Sequence, residues 1–183
     1  PGSPGVTAIK IVRTTGRDSI YLGYNTAGTA VASYPNLAIN NGGSATAYPI
    51  ILIKRSGGTS ASLQSIINET TGKTMKLNYA IKDGETILID LTPGNKGIWS
   101  DWMGNPDRGT GKIGYIGPPV PAFWNGKQHD IIGQALLPGS DFASWALAPG
   151  LNDVSVYVSD AGTPTITAAF VYRNCYWSPD GAM

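Results

Sequence analysis

Between residues 73 and 79 the side chains alternate, with Met75, Leu77 and Tyr79 on one side and Lys76 and Asn78 on the other. A period of two places one set on each face of an extended strand, so a chain that keeps this period must build sheets with one face turned inward. The period recurs. Residues 85–91 put Ile87, Ile89 and Leu91 on one face. Residues 153–159 set Val154, Val156 and Val158 against Ser155 and Tyr157, and residues 164–173 alternate through Ile166, Ala168, Phe170 and Tyr172. Further apolar runs at 33–39, 47–54, 63–70 and 142–148 read as strands. The best helix candidate is 130–137, with Asp130 as its N-cap and Pro138-Gly139 ending it after at most two turns, and the same run reads equally as an irregular strand.

Between the strands sit TTGK, KDGE, LTPG, LPGS and APGLN, which supply the positive φ of Gly or Asn, or the preset φ of Pro, that tight turns need. The Thr71-Gly72 pair folds 63–70 back onto 73–79 as a hairpin. Many short strands joined by such turns predict an all-β fold, an antiparallel β-sandwich or jelly roll. The 183 residues fit one domain over 6–183, and the opening PGSPG (1–5) reads as a cloning scar or linker.

Composition removes several function classes. Charged residues are 14% of the chain, well below an average of about 25%, and the formal net charge is +1, so there is no electrostatic case for nucleic acid. One cysteine, Cys175, excludes an internal disulfide framework and a Cys-rich metal site. No apolar run approaches the ~20 residues of a membrane-spanning helix.

Residues 94–128 break the strand rhythm with an aromatic, Gly- and Pro-rich insertion. So long a stretch outside the pattern is usually functional or disordered, and its aromatics argue against disorder. Trp99, Trp102, Tyr115, Phe123 and Trp124 are therefore the candidate binding residues, since aromatic faces stack on sugar rings and anchor protein interfaces. Packing the insertion onto the sandwich as a small core would use the same residues. Trp145, Tyr172 and Trp177 are expected in the main core or at its rim, and Cys175 as a small residue near the chain's end.

The chain is poor in reactive groups. His129 is the single histidine, and its sequence neighbour Asp130 would point to the opposite face of a strand, so the pair is badly placed for a triad. The two glutamates, Glu69 and Glu85, show no pairing with an aspartate, and Asp90 is expected to bond turn amides or face solvent. Asp101, Asn105 and Asp107 have the oxygen chemistry of a calcium loop, but Met103 interrupts it and the closing Glu is absent, which favours an Asx-built turn. GTGKIG at 109–114 lacks the full phosphate-loop spacing. No catalytic residue, metal or cofactor is expected.

The order of these signals carries a resemblance. AYPIILI is followed by INETTGKTMKLNYAIKDGETILIDLTPG, and after the insertion by LLPGSDFASWALAPGLNDVSV and VYRNCYWSPDG. Over residues 34–181 this resembles the C-terminal domain of siphovirus-type phage tail proteins, the distal tail protein family. The resemblance implies a galectin-like or carbohydrate-module-like sandwich, attached in the parent protein to an N-terminal domain that assembles into a homo-oligomeric ring. The excised domain would be monomeric. The implied setting is the tail tip of a virion produced in a bacterial host's cytoplasm, with other tail or baseplate proteins or a host-surface saccharide as partners. The family has no catalytic motif to carry over, and 94–128 is longer than its usual connection. The expected function is thus non-enzymatic structure and adhesion. A carbohydrate-binding module using the loop aromatics is the competing reading, and a glycan hydrolase a third.

Overall fold

The computed structural model describes residues 6–14, 17–25, 32–102, 129–161 and 164–177, with side chains described for 38–102, 130–159 and 164–177. In chain order the strands are β1 (Val6–Thr14), β2 (Arg17–Asn25), β3 (Ala32–Asn41), β4 (Ile50–Ser56), β5 (Ser60–Asn68), β6 (Lys73–Ile81), β7 (Thr86–Asp90), β8 (Gly97–Ser100) and β9 (His129–Asp130). One helical turn, α1 (Ile132–Ala135), precedes β10 (Gly150–Ala161) and β11 (Thr165–Tyr172). No helix among the described residues is long and apolar enough to cross a membrane.

All strand pairings are antiparallel. One sheet runs β1-β2-β11-β4-β7-β8-β9 and the other β3-β10-β5-β6. The alternation on β6 is kept: Met75, Leu77, Tyr79 and Ile81 are buried, while Lys76, Asn78 and Ala80 are exposed. These side chains meet Val154, Val156 and Val158 of β10 and, from the other sheet, Ile51 and Ile53 of β4, Ile87 and Ile89 of β7 and Phe170 of β11 in one shared core. The architecture is therefore sandwich-like and all-β. Gly72 takes φ 65 in the β5–β6 turn, the left-handed conformation that makes the hairpin cheap only for glycine.

The larger sheet is also covered on its outer face. Ala169, Leu52, Leu88 and Trp99 stand opposite one another in turn across β11, β4, β7 and β8. Leu52, Leu88 and Ala169 are buried, with Ile50 and Trp99 packed against them. Gly97 shares a strand face with Trp99, and a Cβ built on it would lie 2.4 Å from the indole. The ring occupies the space that a side chain at 97 would fill.

Two edges show how the sequence avoids unpaired backbone. Pro35, which has no N–H to donate, sits in edge strand β3 where the register with β10 shifts. The outer edge of β6 is closed by residues 136–141. Leu137 N donates to Lys76 O (3.0 Å) and Asp141 N to Thr74 O (2.8 Å). In return Thr74 N donates to Asp141 Oδ2 and Lys76 N to Ser140 Oγ, each at 3.0 Å.

At one end of the sandwich Arg55 ties the sheets together. Its guanidinium is buried and donates to the carbonyls of Ile81 (2.6 Å), Gly58 (2.8 Å) and Gly57 (3.0 Å). Nearby, the fully buried Glu85 carboxylate accepts from the Tyr79 hydroxyl at 2.8 Å, the Lys82 amide at 2.6 Å and the Ser100 hydroxyl.

Four expectations need correction. Residues 142–148 are not a strand. Asp141 O accepts the amides of Ser144 and Trp145 and closes a turn there, leaving one bridge from Leu147 to Ala47. The 94–128 stretch is not structureless from its start, because its first residues add β8 to the sheet; residues 103–128 lie outside the described residues. Asp130 belongs to β9 and is not the N-cap, although its carboxylate does accept the Ile132 amide at 2.9 Å. Trp177 is 76% exposed and belongs neither to the core nor to its buried rim. β1 and β2 are strands that the apolar pattern did not single out.

Candidate functional site

At the end of the sandwich opposite Arg55, three fully buried asparagines hold the connecting segments in place. Asn41 donates to Ala45 O (2.9 Å) and Leu147 O (3.3 Å) and accepts Gly43 N (3.1 Å). Asn68 donates to Ala146 O (2.8 Å) and to Asn152 Oδ1 (3.1 Å). Asn152 donates to Ala148 O (2.8 Å) and Gly150 O (3.0 Å) and accepts Ala148 N (2.9 Å). Buried amides of this kind replace the pairing that irregular backbone loses when it leaves a sheet.

The segment after β11 seats on this frame. Ala45 N donates to Cys175 O (2.9 Å), Gly42 N to Asn174 Oδ1 (3.0 Å) and Trp177 N to Ser44 Oγ (3.0 Å). Gly43 permits the approach, since a Cβ there would stand 2.1 Å from Cys175 O. The result is a fixed terminal run displaying two adjacent aromatics, Tyr176 at 68% and Trp177 at 76% exposure.

Beside it lies a groove of about 380 Å³. Ile50, Val171 and Pro93 give it an apolar lining, Tyr48 and Tyr172 an aromatic one, and Arg173 a cation. The Tyr172 hydroxyl donates away from it to Asn40 O at 2.7 Å. Lys96 places its ammonium 5.3 Å from the centre of the Tyr48 ring and donates to Ala143 O; loss of solvent lowers its pKa from the ordinary lysine value. The turn that carries Thr92 and Pro93 is stapled by Asp90, which accepts Thr92 N (2.8 Å) and Asn95 Nδ2 (2.7 Å).

The sequence-predicted aromatics are elsewhere. Trp99 is half-buried on the outer sheet face, against Leu88 and over Gly97. Trp102 is half-buried at the Arg55 end, its amide donating to Ser100 Oγ at 3.0 Å. Tyr115, Phe123 and Trp124 lie outside the described residues, as do Asn105, Asp107 and the side chain of His129. Trp145 is fully buried in the core, its indole N–H without a hydrogen-bond partner, and Tyr172 is buried at its margin. Sequence reasoning passed over Tyr48, Arg173 and Tyr176. The signal for the last two was the lapse of alternation in RNCYW directly after a strand, where aromatics no longer have a sheet face to bury.

Six of the eight described carboxylates are engaged with backbone amides; Glu69 and Asp153 are not. Besides Glu85 and Asp90, Asp83 accepts Gly57 N (2.6 Å), Asp101 accepts Thr86 N (2.7 Å), Asp130 accepts Ile132 N (2.9 Å) and Asp141 accepts Thr74 N (3.0 Å). No group of three or more His, Cys, Asp or Glu that would hold a metal ion occurs among the described residues.

Compared with protein-family models, with curated proteins and with solved structures, the chain finds no match in any of the three.

Proposed function

We propose that this chain is a non-catalytic recognition domain of a phage tail-tip protein, a jelly-roll sandwich of the galectin-like kind that binds another tail component or a host-surface ligand. The observation that carries the reading is the seating of the terminal segment. Backbone and side-chain hydrogen bonds hold Tyr176 and Trp177 in solvent on a rigid all-β frame. Exposed aromatics on a fixed support lose little freedom on binding, which is how such frames present recognition surfaces. The binding of six of the eight described carboxylates to amides supports the non-catalytic part, because a general acid or base needs a free carboxyl facing substrate.

The alternative, a carbohydrate-binding module, draws on the same exposed aromatics, since tyrosine and tryptophan faces stack on sugar rings. Its original platform of Trp99, Trp102, Tyr115, Phe123 and Trp124 would have to include a Trp99 ring already packed against the sheet.

The test is twofold. The tagged chain is co-expressed with the proteins encoded beside its parent gene, and separately incubated with bacterial cell walls. Co-purification with a tail protein supports the tail-tip reading. Retention on walls alone supports the carbohydrate module. No binding in either arm overturns recognition as the function.

A further inference from the structure

We infer that the groove between Tyr48 and the Arg173–Cys175 run is a binding site for an anionic saccharide, with the sugar ring on the Tyr48 and Pro93 surfaces and its acidic group on the Arg173 guanidinium. The inference rests on the recognition reading above and names the ligand chemistry for one part of that surface.

Size comes first. About 380 Å³ lies in the range of small-ligand sites and accommodates one or two sugar rings. The lining has the mixture such ligands need. Tyr48 is 38% exposed, Ile50 and Val171 supply apolar surface for the C–H face of a ring, and the exposed Thr92 brings a hydroxyl. Tyrosine faces also bind sugars through their polarised C–H bonds.

Charge then selects among sugars. Arg173 is exposed, and its guanidinium makes no ion pair or hydrogen bond among the described residues. Lys96 adds a second positive charge above Tyr48. The acid beside the groove, Asp90, is turned to the Thr92 amide and the Asn95 side chain. A lining with unpaired positive charge, and with the one neighbouring carboxylate among the described residues already bonded, favours a carboxylate- or phosphate-bearing ligand, which arginine holds with paired charge-assisted hydrogen bonds.

The walls are also fixed in advance. One belongs to the segment held by Ala45, Gly42 and Ser44, and another to the turn stapled by Asp90. Preorganised walls lower the entropic cost of holding a small ligand.

The experiment is calorimetric titration of the whole chain with methyl glucuronide, glucosyl phosphate and methyl glucoside, on wild type, Arg173→Met and Tyr48→Ala. The expected result is binding of at least one acidic probe. Arg173→Met should weaken it about tenfold, the scale of one charge-assisted hydrogen bond. Tyr48→Ala should weaken acidic and neutral probes alike. The two acidic probes separate a carboxylate from a phosphate preference. Arg173 is exposed, so its variant keeps the fold, and matched melting curves confirm it. Equal affinity of wild type and Arg173→Met, preference for the neutral glucoside, or no binding of any probe at millimolar concentration overturns the assignment. Cell-wall or tail-protein binding that persists unchanged in both variants overturns the groove while leaving the recognition reading standing; loss of wild-type binding to all partners overturns both.

Discussion

The carbonyl oxygen of Cys175 stands 2.1 Å from the point where a Cβ on residue 43 would be, and the Cys175 amide nitrogen 2.7 Å from it. Gly43 is thus a spacing requirement, because both neighbours are backbone and cannot swing aside. Gly43→Ala must push the 173–177 segment off the 42–45 loop. The expected cost is about 1–3 kcal/mol, as for other forced overpacking. Hydrogen exchange at the Ala45 amide, which donates to Cys175 O, should accelerate, and binding at the neighbouring groove should weaken.

Arg55 predicts a larger loss at the other end. Arg55→Met keeps much of the aliphatic stem but leaves the carbonyls of Gly57, Gly58 and Ile81 without their donor. Losing one buried and two part-buried charge-assisted hydrogen bonds costs roughly 2–4 kcal/mol in sum. A urea titration should show a lower midpoint with little change in slope. Arg55→Lys should rescue only part of it, since one ammonium does not reproduce a planar fork of donors.

Asn152→Asp tests the asparagine network without changing its shape. The new carboxylate oxygen would face Ala148 O and Gly150 O, which now receive an N–H. Two acceptors would then oppose each other in a buried site. The variant should be destabilised most at neutral pH and should recover partly in acid, where the protonated carboxyl regains a donor. Melting temperatures across pH give the comparison, with Asn152→Ala as a control whose loss does not vary with pH.

Asp141 gives a pH dependence of the opposite origin. Its pKa is lowered from 3.8, first by the hydrogen bond from the Thr74 amide and then by the charges of Lys73 and Lys76. A carboxylate with a depressed native pKa stabilises the fold above its unfolded pKa and loses that contribution as pH falls through the native one. Wild type should therefore be more stable than Asp141→Asn at neutral pH, and the gap should close below pH ~3.8. The Lys73 contact, at 3.6 Å between exposed groups, should contribute only weakly and fade with salt.

Local patterning made much of the architecture legible. Lys73–Ile81 shows why: each side chain's destination follows from a period of two, and Gly72 marks the turn before it. The run at 142–148 has similar apolar content but no such period, and Asp141 captured its amides into a turn. Consecutive apolar residues in 51–53 and 87–89 are the mark of a sheet covered on both faces, whereas alternation accounts for one face only. The groove was beyond reach for a different reason. Tyr48, Thr92 and Arg173 come from three distant parts of the chain, and nothing local to any of them announces that they converge. Trp177 misled because tryptophan usually finds a core, whereas here the strand had already ended.

The covering of β6 by residues 136–141 has a consequence for how the protein withstands proteolysis. A protease cut in the exposed 137–139 tip would release Thr74 and Lys76 from their partners and bare a row of hydrogen-bonding groups along a flat rim. Such rims recruit strands from other molecules, so nicked material should seed fibrous aggregates while intact material stays dispersed.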